Sequence, residues 1–302
     1  MFSLVFLVVK SPANIVFMRL FISLTFFFFL LENIYAQAPK EKALLWKITG
    51  NGLKHPSYLY GTIHLMCADQ IKIDSTLKQC FTSTQQLFLE VDMNDPLLMV
   101  KTMQHSLMKD NESLEHLVSK SDYDSMKTIF EKNSSMPFGL MGKVKPIMLM
   151  SAVFPSLLGC SPEAWETAFQ NLAKEKNIPL KGLETIDFQM SVLDTIPTKT
   201  QAIMLKEFLY HLDSTKKSFN ELLTIYKSKD INELHEMTVK DPDFSNYEAV
   251  MLDNRNKNWL QIISKEIKQK SSFFAVGAAH LGGESGEISL LKKQGFIVSA
   301  VE

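Results

Sequence analysis

Two short segments of the chain share one form. Tyr58-Leu59-Tyr60-Gly61-Thr62-Ile63-His64 and Phe274-Ala275-Val276-Gly277-Ala278-Ala279-His280 each run from an apolar stretch through a glycine and two residues to a histidine. Imidazole changes charge near neutral pH and is the commonest protein ligand for transition metals. One histidine after a strand is more often a satisfied core residue than a ligand. Two in the same setting, 216 positions apart, ask for a common reason. Glycine at a strand end lets the backbone turn or lie close to a ligand, and ligands of open α/β sheets gather beyond the carboxyl ends of strands.

Two further apolar runs end in acids. Leu87-Phe88-Leu89 leads to Glu90, and Ile178-Pro179-Leu180-Lys181-Gly182-Leu183 leads to Glu184. Taken singly, each reads as an ordinary turn or helix acid. A carboxylate directly after an apolar run is nevertheless costly to bury unless it is paired or bound to a cation. With the two imidazoles, one or both of these acids make a candidate site for a divalent transition metal. Such an ion polarises a carbonyl and acidifies a water. A carboxylate left over from that site, Glu90 or Glu184, is a candidate general base. Arg255, in Asp253-Asn254-Arg255-Asn256, offers a planar fork for a carboxylate or a developing oxyanion, with a surface ion pair as its plainer reading. Glu284, in the Gly-rich turn after His280, is a candidate for the group behind that histidine. His55, His105, His116, His211 and His235 show no metal-binding spacing, and HExxH, CxxC, P-loop and GxSxG patterns are absent from the sequence.

The elements that must position these groups follow from periodicity. Residues 43–48, 57–60, 86–91, 272–276 and 295–301 read as strands, and 178–180 as a short strand feeding Gly182-Leu183-Glu184. Between them the pattern is helical and rich in methionine. Leu97, Leu98, Val100, Met103, Leu107 and Met108 form an apolar stripe expected to pack as core. A helix is expected to open at Ser161-Pro162-Glu163, with serine as cap, proline at the first position and acid in the first turn. The fold expected is α/β (α+β), a sheet assembled from N- and C-terminal strands with a mostly helical insertion at about 97–260. Residues 39–302 then form a single domain. Of 302 residues, 46% are hydrophobic and 22% charged, with net charge −1, so the chain can bury a core and has no basic excess for a nucleic-acid partner.

Residues 20–31 hold no charge and follow Arg19, with small residues at Ala36 and Ala38. This fits a secretory signal over residues 1–38, starting at Met18 or Met1, and so a periplasmic or secreted protein. Membrane association is expected only if that segment stays uncleaved. In an oxidising compartment two readings stand for the three cysteines: a Cys67–Cys80 bridge, or three buried thiols.

The ordered set of the two Gly-x-x-His motifs, Phe88-Leu89-Glu90, Gly182-Leu183-Glu184-Thr185 and Arg255-Asn256 resembles the TraB/GumN family, which includes the TIKI metalloproteases. The resemblance implies an erythromycin-esterase/ChaN-like fold. It also implies that His64, His280 and Glu90 serve metal-dependent peptidase action on a peptide or protein substrate, with Glu184 and Arg255 as further motif positions. Tethering and a signalling-protein substrate are not carried over. A non-catalytic envelope protein binding haem, metal or a small ligand in the same crevice is the alternative. A partner-binding protein with structural histidines is a third reading.

Overall fold

The computed structural model describes residues 38–301. The expected signal segment, with its apolar run at 20–31, lies outside them apart from Ala38. Eight strands form among the described residues: β1 (Leu45–Gly50), β2 (Ser57–Thr62), β3 (Met66–Cys67), β4 (Gln86–Val91), β5 (Pro162–Glu163), β6 (Leu180–Glu184), β7 (Ser272–Gly277) and β8 (Phe296–Ala300). Six of them make one sheet in the order β6-β4-β7-β2-β1-β8, while β3 and β5 pair separately. The mixed α/β architecture expected from the sequence is the one observed.

β6, β4, β7 and β2 run parallel. Both faces of a parallel sheet are covered, which is why Gln86–Val91 and Ser272–Gly277 are near-continuous apolar runs without alternation. On one face Phe81 and Phe169 pack against Phe273, at 5.1 and 5.2 Å between ring centres. On the other Phe88 stacks on Phe274 at 5.0 Å. β1 and β8 close one edge antiparallel, in keeping with the tight turn after Gly50.

The parallel register decides where chemistry can gather. Tyr58 lies opposite Phe273 and Thr62 opposite Gly277, so the two Gly-x-x-His motifs leave the sheet side by side. Gly61 is required for that proximity, because a Cβ there would stand 3.0 Å from both Ala278 Cβ and Leu281 Cδ1. The first motif's glycine makes room for the second motif's turn.

The insertion is mostly helical, as expected, but β6 interrupts it and returns to the sheet edge. It has its own core, in which Leu114, Phe130, Phe138, Val153 and Leu205 are buried. Three expectations are corrected here. The methionine-rich stripe is not core: Leu97, Val100 and Met103 are each more than half exposed, Leu107 is exposed and Leu98 half-buried, and of the six Met108 alone is buried. Ser161-Pro162-Glu163 does not open a helix, because Met66 pairs with Glu163 and Ala68 N–H donates to the Ser161 carbonyl. That pairing holds the segment extended, and the helix starts at Trp165 (Trp165–Lys176). The same pairing brings Cys67 to Cys160, with which it forms a disulfide, whereas Cys80 is a free thiol on the helix Ser75–Thr82. Neither the Cys67–Cys80 bridge nor three thiols is observed.

Among the described residues no helix is long and apolar enough to cross a membrane. Glu287, in the first turn of the helix Glu287–Lys293, is fully buried with neither carboxylate oxygen hydrogen-bonded by the protein. Burial pushes its pKa well above the ordinary glutamate value.

Candidate functional site

Glu90 is the penultimate residue of β4 and Glu184 the last of β6, and the turns after β2 and β7 carry His64 and His280. The four strand ends lie at the carboxyl edge of the sheet, where a cleft of about 670 Å³ is lined by His64, Glu90, Arg255 and His280. Most of the remaining wall is apolar and comes from the insertion, including Met148, Ile186, Met190, Phe244 and Leu252.

Arg255 is the hub of the buried part. The helix Asn254–Gln269 follows a π-helical stretch, Ala249–Asp253, and presents Arg255 and Asn256 to the site. The Arg255 fork holds Glu184 through Nε (3.1 Å) and Nη2 (2.7 Å), while Nη2 also reaches Glu90 Oε2 at 2.6 Å. Nη1 donates to the Met251 carbonyl (3.1 Å) and to His280 Nε2 (3.2 Å). All five guanidinium N–H groups are therefore matched. The plane lies 4.6 Å over Trp259, whose Nε1–H donates to Glu184 Oε2.

Glu90 accepts further bonds from Gly277 N–H (2.9 Å) and the Gln189 amide (3.1 Å). Burial alone would raise the Glu90 pKa, but Arg255, the two histidines and the Gly277 amide outweigh it and hold the carboxyl down at about 2. For Glu184 burial prevails: Arg255 and Trp259 offset it only in part, the Glu90 charge adds to it, and the pKa rises. The two glutamates are thus shifted in opposite directions.

The tautomer of His280 is fixed by its neighbour. The Asn256 amide nitrogen donates to the Ser285 and His280 carbonyls, so its oxygen faces His280 Nδ1 at 2.6 Å. Nδ1 therefore carries the proton and Nε2 accepts from Arg255. Burial, with the positive charges of Arg255 and His64, lowers the pKa to about 3 despite Glu90. Asn256 occupies the place expected for Glu284, which is exposed.

His64 is placed differently. Its side chain is 67% exposed at the cleft, and Nδ1 lies 3.0 Å from Glu166 Oε1, which also accepts from Thr62 Oγ1 at 2.8 Å. Partial withdrawal from water opposes the charged ring, but the Glu166 hydrogen bond and charge, helped by Glu90, raise its pKa to about 9. Solvent at so open a side chain screens these charges, and the upward direction stands. Glu166 and Gln189 were not singled out in the sequence. An acid in a helix's first turn looks like ordinary dipole compensation, and a glutamine four residues after Thr185 gives no signal at all. His105 pairs with Asp187 at 2.9 Å, and His235 Nδ1 lies 3.1 Å from the Ala279 carbonyl.

Two imidazoles with Nδ1 engaged by side-chain oxygens, together with an ionised carboxylate, are ligand types that a divalent transition metal takes, but His280 Nε2 and Glu90 Oε2 are both engaged by Arg255. Among the described residues, no three His, Cys, Asp or Glu side chains form a ready-made cage. Arg255 stands between Glu90 and His280.

The TraB/PrgY/gumN family model matches residues 44–300. Two curated relatives, both from Danio rerio, are named Metalloprotease TIKI2 and Metalloprotease TIKI1. Each is 22% identical and aligns with 85% of this chain, which covers 60% and 62% of their respective lengths. The chain thus spans about three-fifths of these relatives. No solved structure matches.

Proposed function

The chain belongs to the TraB/PrgY/gumN family, and from that membership we propose that it is a metal-dependent hydrolase of peptide bonds. The observation that carries the reading is the arrival of His64, Glu90 and His280 in one cleft, from three neighbouring parallel strands, with both Nδ1 atoms already occupied. The naming of distant relatives as metalloproteases supports the same class.

His64, His280 and Glu90 would hold a divalent ion of the Mn²⁺, Co²⁺ or Zn²⁺ kind, which supplies carbonyl polarisation and an acidified water. The chain's own groups do the rest. The apolar wall takes the substrate out of water, and Arg255 keeps Glu90 ionised and both glutamates in place. Glu184, bound through both oxygens by Arg255 and Trp259 and lining the adjoining crevice, holds Arg255 in place. The Cys67–Cys160 disulfide supports a working place in an oxidising compartment, such as the periplasm or outside the cell.

The test is metal content and hydrolysis of a peptide library by the purified protein beside His64→Ala and His280→Ala. Both variants are expected to lose bound metal and at least 100-fold in rate while remaining folded. Undiminished hydrolysis in both removes the proposal. The largely apolar lining also favours a second reading, a non-catalytic binder of haem or another apolar ligand. A Soret band after incubation with haem, with no peptide cleaved, would select it.

A further inference from the structure

We propose that Glu166 is a positioning residue that holds His64 with its Nδ1–H engaged and its Nε2 presented to the cleft, and that the Cys67–Cys160 disulfide clasps together the two segments carrying the pair. The inference concerns this chain's own geometry and rests on His64 being a working residue of the cleft.

His64 and Glu166 come from loops that share no neighbouring strand of the main sheet. His64 follows β2, and Glu166 lies in the first turn of Trp165–Lys176, within the insertion. What joins the loops is a small clasp one step from each residue. Cys67, three residues after His64, bonds to Cys160, six residues before Glu166. Between them Met66 pairs with Glu163, and Ala68 N–H donates to the Ser161 carbonyl. The clasp is placed to keep the two side chains in register.

Two features distinguish Glu166 from a structural acid. Its Oε1 receives both Thr62 Oγ1 and His64 Nδ1, and Thr62 is the last residue of β2, so the carboxylate is referenced to the rigid sheet. Its Oε2 is buried without a hydrogen-bond partner. A carboxylate that served only packing would be cheaper as an amide or a hydrocarbon. The arrangement mirrors the other half of the site, where Asn256 engages Nδ1 of His280 and leaves Nε2 facing inward. An exposed imidazole has no core to fix its rotation, so a carboxylate partner must do it.

The experiment reads the ring directly. Long-range ¹⁵N–¹H spectra of the labelled full chain, with His64→Ala for assignment, report the tautomer of His64 once the ring is neutral. Nδ1–H is expected in the oxidised protein and in Glu166→Gln, whose amide oxygen still accepts. Glu166→Leu is expected to revert to the Nε2–H form preferred by free imidazole. The Cys67→Ser/Cys160→Ser double variant is expected to show mixed tautomers with unchanged helical circular dichroism. Zinc affinity, titrated with Zn²⁺ alone, should fall about 10- to 100-fold in Glu166→Leu.

Persistence of Nδ1–H in folded Glu166→Leu overturns the positioning role, and its persistence in the double serine variant overturns the clasp. Should Glu166→Leu not fold, the parent decides alone, since an Nε2–H ring there ends the proposal. A parent that binds no zinc counts against the metal-dependent reading, while the tautomer still tests this one.

Discussion

The two Gly-x-x-His motifs deliver the same side chain from adjacent strands into opposite surroundings. His280 is 5% exposed and enclosed by Asn256, Arg255 and the Trp259 ring, whose centre is 4.5 Å away. His64 is open to water and held on one side by a carboxylate. Burial drives the first ring to the neutral form, while the Glu166 partnership drives the second toward the charged one. A motif fixes where an imidazole leaves the sheet, and the neighbours decide what it does there. The buried half is an interlocked polar network, and such networks lose more when one member is removed than when the whole is absent. The open half can lose its histidine at small structural cost.

The largest effect that would test this contrast is on Arg255. Replacement by Leu leaves Glu90 and Glu184 buried side by side with no cation, and about 3–5 kcal/mol of stability should be lost in urea unfolding. A loss below about 1 kcal/mol would mean that the network is not interlocked. Next come the histidines themselves. His280→Ala strips partners from Asn256 and Arg255 and should cost about 1–3 kcal/mol, whereas His64→Ala should stay within about 0.5 kcal/mol. Equal costs would erase the distinction between the halves.

Glu287 sharpens the comparison, because it is a buried acid without the partners that Glu90 enjoys. Its folded pKa is raised, so the stability it allows is full below the ordinary value of 4.5 and declines as pH rises. Glu287→Gln should therefore match the parent at pH 4 and exceed it at pH 7 by about 0.5–2 kcal/mol. For Glu90 the sign reverses. Its pKa is depressed to about 2, so its contribution is present above 4.5 and vanishes as pH falls through 2, and Glu90→Gln should flatten that acid limb of the melting-temperature profile. The smallest effect is at His64. Its raised pKa places a contribution below pH 6.5 that is lost as pH rises through about 9, so Glu166→Gln should shrink a shallow alkaline decline. It should also soften the acid limb, because despite burial His64 and Thr62 hold the Glu166 pKa below its ordinary value.

The strand ends were legible in the sequence because their signals are local. An apolar run followed by a glycine or an acid states both the strand and its exit, and β4 begins and ends where the sequence puts it. Parallel neighbours could be inferred from the repeated motif. Glu166 and the disulfide could not, since both depend on a two-residue pairing between segments 93 residues apart, which leaves no periodic trace. Ser161-Pro162 showed the difficulty directly: its helix-start chemistry was sound, but tertiary pairing held it extended. The methionine stripe erred the other way, as helical periodicity marks an apolar face without saying what covers it.

β7 lies between β4 and β2, and its pairing of Phe273 with Tyr58 has a consequence for biosynthesis. A nascent polypeptide that has emerged only as far as the insertion holds β2 and β4 with the rung between them missing. Such long-range closure is slow compared with hairpin or helix formation. A product ending just short of residue 272 would lack both the central rung and the histidine that follows it.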